Sequence, residues 1–181
     1  MNTALPVAAC AALCVAAIAA LCDFHSGEIP NWLTIPPLLF APISYGFAFG
    51  PEHALHSLAA GLLGGVVPYL LFRRRAMGGG DVKLLAALGA ITGFDLLGGM
   101  EIQLWAFVFA MVGAAAGLAW NGRLLGTLAS AVAVGLGSAL PTRWRRFPCA
   151  ELSAPVRMGG SIFLATAVFT WPHLFLAWSM G

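Results

Sequence analysis

Ala16-Ala17-Ile18-Ala19-Ala20-Leu21-Cys22-Asp23-Phe24-His25-Ser26-Gly27-Glu28-Ile29-Pro30-Asn31-Trp32-Leu33-Thr34 decides the fold. An apolar run stops at an acid, a short polar turn follows, and a second apolar run begins. A helix needs about 20 apolar residues to cross a bilayer, and this run reaches back to Leu5. The same pattern recurs at 33–49, 54–72, 82–98, 102–120 and 159–178. Of the 181 residues, 60% are hydrophobic and 9% are charged, against roughly 25% charged in soluble domains. The mean hydropathy is +0.89. The expectation is an all-α integral membrane protein, a single domain over 1–181 with about six transmembrane helices. This composition excludes a disordered chain, a nucleic-acid binder and a disulfide-stapled module.

The stretch 124–140 is ambiguous. Leu124, Leu128, Val132, Leu136 and Leu140 recur at i+4, while Gly126, Thr127, Ser130, Gly137 and Ser138 dilute the rest. That suits a helix lying at the interface. The basic residues arbitrate. With 124–140 at the interface and the N-terminus outside, Arg73, Arg74, Arg75, Lys83, Arg123, Arg143, Arg145, Arg146 and Arg157 all fall on the cytoplasmic side. Glu52, Asp95 and Glu101 remain outside. Met1-Asn2-Thr3 lacks the positive start of a signal peptide, so a retained first helix is expected. Pro36, Pro37 and Pro42 predict an irregular second span packed against protein. Cys10, Cys14, Cys22 and Cys149 form no CxxC pair and read as small buried residues. His53, His56 and His173 build no metal site. Neither a metal nor a cofactor is expected.

Asp23 ends the first span and Asp81, in Met77-Gly78-Gly79-Gly80-Asp81-Val82-Lys83, opens the fourth. Two complete crossings separate them, so both lie at the same membrane face. Ionisable groups at membrane depth are costly and are functional candidates by default. Two carboxylates in one low-dielectric site share a proton near neutral pH. That state suits peptide hydrolysis, one acid taking a proton from water and the other polarising the carbonyl. Placed as a helix N-cap, Asp81 is the better candidate for the ionised partner. Gly78, Gly79 and Gly80 would allow positive φ and close approach of an extended peptide, pairing as an added strand.

Lys83 points about 200° from Asp81 on a helix. It reads as a snorkelling cation or as a residue that positions the loop. His25 reads as a solvated loop histidine. Pro30-Asn31 reads as the turn into the second span, with Asn31 capping it or bonding within the site. Arg73–Arg75 reads as a topology anchor. A proton-coupled transporter is a rival reading, but the chain shows no repeat and its acids sit at span ends. A non-catalytic component of a pilus or secretion machine is another.

Asp23 followed by Ile29-Pro30-Asn31-Trp32-Leu33-Thr34, and Gly78-x-Gly80-Asp81-Val82-Lys83-Leu84 after two spans, resembles the type IV prepilin leader peptidases, which are GxGD intramembrane aspartyl proteases. Ala154-Pro155-Val156-Arg157-Met158-Gly159-Gly160 adds a weaker likeness at the last span. The resemblance implies an endopeptidase that removes the short basic leader of prepilin or pseudopilin precursors at the cytoplasmic face of a bacterial inner membrane. Asp23 and Asp81 match the catalytic pair. About ten residues separate the first two spans, without the cysteine-bearing insert of the bifunctional members. The resemblance is therefore closest to the short form linked to Flp/Tad pili, without N-methyltransferase activity.

Overall fold

The computed structural model describes residues 4–120 and 158–179, and within them six helices and no strand. They are α1 (Ala4–Ser26), α2 (Asn31–Phe49), α3 (Pro51–Arg73), α4 (Gly79–Ile91), α5 (Gly98–Trp120) and α6 (Gly159–Ser179). The stretch 124–140 lies outside the described residues. The chain divides into two compact units, Met1–Phe109 with Arg157–Gly181, and Ala110–Val156. The acids, the glycine loop and α6 all belong to the first.

Among the described residues, five helices are long and apolar enough to cross a membrane: α1, α2, α3, α5 and α6. Large apolar side chains face outward, Phe47 at 90% exposure and Leu62 at 70%. Water would penalise such a surface, and lipid does not. The chain is an all-α integral membrane protein. Cys10 and Cys14, expected inside, are on this outward side of α1.

The inward face of α1 is a stripe of Ala9, Ala12, Ala16 and Ala19, each fully buried. Small residues at helical spacing let backbones approach closely where lipid removes any hydrophobic drive between helices. α1 packs chiefly on α6, and α3 packs on α4 and α2. Leu84, Leu85, Leu88, Ile102 and Ile162 fill the core between them. On α4, Gly89 is required, because a Cβ there would stand 2.5 Å from the Ala60 carbonyl oxygen of α3.

Two expectations are corrected. α2 runs as one helix despite Pro36, Pro37 and Pro42. The fourth segment is not an 82–98 span. α4 starts earlier and stops at Ile91, 13 residues in all, or about 20 Å of helix against the ~30 Å of a hydrocarbon core. It stops there because neighbouring side chains satisfy its last carbonyls, which lipid would not. Thr92 Oγ1 donates to the Leu88 oxygen at 2.9 Å, Ser57 Oγ of α3 to that of Ala90 at 2.7 Å, and Tyr45 Oη of α2 to that of Ile91 at 2.9 Å. The turn after it is braced by Asp95 Oδ1, which accepts from the Leu97 N–H at 3.0 Å.

Candidate functional site

The alanine stripe of α1 leads to the site. Positions 9, 12, 16, 19 and 23 alternate by three and four, which places Asp23 on the same inward face. It is 7% exposed. One turn later the helix ends. Gly27 adopts φ +72°, its N–H donating to the Asp23 carbonyl at 2.9 Å, and only Gly27–Pro30 links α1 to α2. Ser26 Oγ steadies that link by donating to the carbonyls of Cys22 at 2.8 Å and Glu28 at 3.1 Å.

The other acid arrives by the same logic. Asp81 precedes Leu84, Leu85 and Leu88 by three, four and seven residues, so the buried face of α4 carries it inward. It stands ahead of the apolar part of α4, outside the five spanning helices. Asp23 and Asp81 line one cavity of about 390 Å³ with Gly27, Glu28, Ile29, Pro30, Asn31 and the three glycines Gly78–Gly80. Seven of the eight expected site residues therefore converge on it. The eighth, Lys83, is exposed and stands at the rim, its Nζ donating to Asn31 Oδ1 at 2.8 Å. Asn31 thus tethers α4 to α2 and does not cap α2, whose N-cap is Pro30. His25 is exposed. Glu28, in the turn but not among the expected site residues, is a third carboxylate on the cavity wall.

The glycines work differently from expectation. Gly78 is extended at φ −73° and ψ 144° and serves as the N-cap, while Gly79 and Gly80 already belong to α4. Positive φ is not used there, and no free strand edge is presented. Space is what the glycines supply: a Cβ on Gly80 would stand 3.0 Å from that of Ile29, and one on Gly79 3.3 Å from the Phe72 ring.

Asp81 is consequently the third residue of α4 and not its cap. It accepts from the Gly78 backbone N–H, the reciprocal half of a capping box. That bond favours the charged carboxylate, but burial and the neighbouring Asp23 charge oppose it and push the Asp81 pKa up to about 6. Desolvation is the larger cause. The helix start therefore does not hold the Asp81 pKa down, as the reading of Asp81 as an N-cap expected. Asp23 Oδ2 in turn accepts a 2.9 Å hydrogen bond from the Gly159 backbone N–H at the start of α6. Gly159 was visible in the sequence only as part of a weaker likeness.

The sequence signature of the type IV leader peptidase family matches residues 10–139, which include both aspartates. The chain belongs to this family. It is 36% identical over 126 residues to the prepilin leader peptidase/N-methyltransferase of Burkholderia pseudomallei strain 1026b, and equally to that of strain K96243. These alignments cover 62% of this chain and 38% of each relative, so the chain spans well under half the length of the curated relatives it matches. No solved structure matches.

Proposed function

We propose that the chain is an intramembrane aspartic endopeptidase that removes the leader of prepilin-like precursors at the cytoplasmic face of a bacterial inner membrane. One observation carries the reading: two carboxylates from distant helices line a single polar cavity at one end of a membrane bundle. Membership of a leader peptidase family supports reading that pair as a hydrolytic centre. The arginines Arg73–Arg75 lie in the same α3–α4 connection that leads to Asp81, and basic residues favour the cytoplasmic side.

In this reading Asp81, whose pKa burial pushes up to about 6, is the acid of the pair and Asp23 its base. Water attacks the scissile carbonyl carbon as Asp23 takes one of its protons, while Asp81 donates its proton to the carbonyl oxygen. The tetrahedral gem-diol then collapses. Asp23 returns its proton to the departing nitrogen, the C–N bond breaks, and a gem-diol hydroxyl gives its proton back to Asp81. Gly79 and Gly80 let the start of α4 pack closely on Phe72 and Ile29 beside the acids, and the Lys83–Asn31 bond holds the rim. Methyl transfer is not part of the reading. Gly27–Pro30 is too short to carry the insert associated with it, which favours the short Flp/Tad form.

The test is co-expression with candidate prepilin precursors and N-terminal sequencing of the product. Asp23→Asn and Asp81→Asn each abolish cleavage while the protein still accumulates in the membrane. Normal leader removal by either variant would end the proposal.

A further inference from the structure

Two adjacent glycines open α6, and only one is fitted against an acid. A Cβ on Gly159 would stand 2.7 Å from Asp23 Cβ and 2.8 Å from its Oδ2, whereas one on Gly160 would meet nothing within 4 Å. Gly159 is buried, and its N–H donates to Asp23 Oδ2 at 2.9 Å across 136 residues of chain. It also lies outside the stretch 10–139 that identifies the family. We propose that Gly159 is a positioning residue for the aspartate pair: its backbone N–H orients Asp23 as the acceptor of the pair, and its lack of a side chain makes that contact possible. This rests on the reading of Asp23 and Asp81 as the catalytic pair.

The physical need is specific. Asp23 sits on the last full turn of α1, just before the chain reverses at Gly27. Its carboxylate needs an anchor from another element to keep one orientation. The start of α6 offers an unpaired backbone N–H and the positive end of a helix dipole, both of which favour an anionic acceptor. The bond fixes Oδ2 as an acceptor and so sets the orientation of the carboxyl group. α1 and α6 also pack on each other extensively, so acid and donor stay together.

The experiment uses the full-length protein in detergent with a purified prepilin precursor. Gly159→Ala pushes Asp23 off its donor, and kcat falls roughly 10- to 100-fold, the worth of one hydrogen bond to a charged group. KM changes little, since Gly159 itself does not line the cavity and the wall residues other than Asp23 keep their places. Gly160→Ala behaves as the unsubstituted protein. A thermal-unfolding cycle provides a readout independent of activity. Gly159→Ala lowers Tm in the parent protein and lowers it less in an Asp23→Gly background, where the clashing side chain is gone. If Gly159→Ala alone fails to accumulate, restored accumulation with Asp23→Gly supports the contact, and no restoration overturns it. Unchanged kcat in Gly159→Ala, equal losses from both glycines, or equal Tm penalties in the two backgrounds would each overturn the inference. Normal cleavage by Asp23→Asn would instead remove the catalytic reading beneath it, leaving the Tm cycle to report the contact alone.

Discussion

Replacing Gly89 by alanine tests whether the α3–α4 contact sets the position of Asp81. The added Cβ would lie 2.5 Å from the Ala60 carbonyl oxygen, 3.1 Å from its carbon and 3.3 Å from the Gly61 Cα. All three are backbone atoms, so no side chain can swing away. Ordinary contact begins at 3.4 Å, so 3.4 − 2.5 leaves the helices about 0.9 Å too close. Overpacking of this kind costs about 1–3 kcal/mol. Alanine also raises intrinsic helix propensity by up to about 1 kcal/mol, so a matched control is needed. Gly113→Ala on α5 meets nothing within 4 Å and isolates the propensity gain. Thermal unfolding in detergent should place the two variants about 2–12 °C apart, Gly89→Ala below. Because α4 carries Asp81, a shift approaching 1 Å should also cut kcat on a purified precursor about 100-fold. If Gly89→Ala melts with Gly113→Ala and cleaves at the parent rate, the reasoning from backbone contact to acid placement fails.

Two further outcomes follow from the same geometry. The folded protein holds the Asp81 proton more tightly than the unfolded chain does, its pKa being about 6 against 3.8; this contribution to stability is complete below pH 3.8 and is lost as pH rises through 6. Tm measured from pH 4 to 7 should therefore fall with a component that Asp81→Asn removes, and a component surviving the substitution would assign it to other groups. Ser57→Ala removes the 2.7 Å donor to the Ala90 carbonyl, which keeps the Gly93 N–H at 3.2 Å, and should destabilise by about 0.5–1.5 kcal/mol, read by thermal unfolding; an unchanged Tm would show that the end of α4 does not depend on this cap.

Much of this arrangement can be read from local spacing. The apolar runs mark the spanning helices, and crossing parity puts both acids at one face. The 9-12-16-19-23 series on α1 and the 81-84-85-88 series on α4 turn both carboxylates inward, because helical periodicity is a local property. What stays hidden depends on partners far along the chain. Thr92 and Gly93 are the local sign that α4 stops at Ile91, but two of the hydroxyls that cap it come from Tyr45 and Ser57. The Lys83–Asn31 bond joins residues on different helices, so the sequence offered roles for each, anchor or loop positioning for Lys83 and cap or site bond for Asn31, without pairing them. Gly159 looks like any helix-opening glycine until α1 is laid beside it. Gly78–Gly80 suggested unusual dihedrals, whereas α4 begins within them and uses only their small size.

The capped end of α4 has a mechanical consequence. Tyr45 and Ser57 bind that helix to α2 and α3, and Lys83 with Asn31 fastens its other end to α2. These three helices form one leaf, while α1 and α6 form another. Each aspartate is rooted in a different leaf, and the Gly27–Pro30 turn is the short strap between them. Altering the gap between the acids thus means moving one leaf against the other, a displacement shared by whole helices.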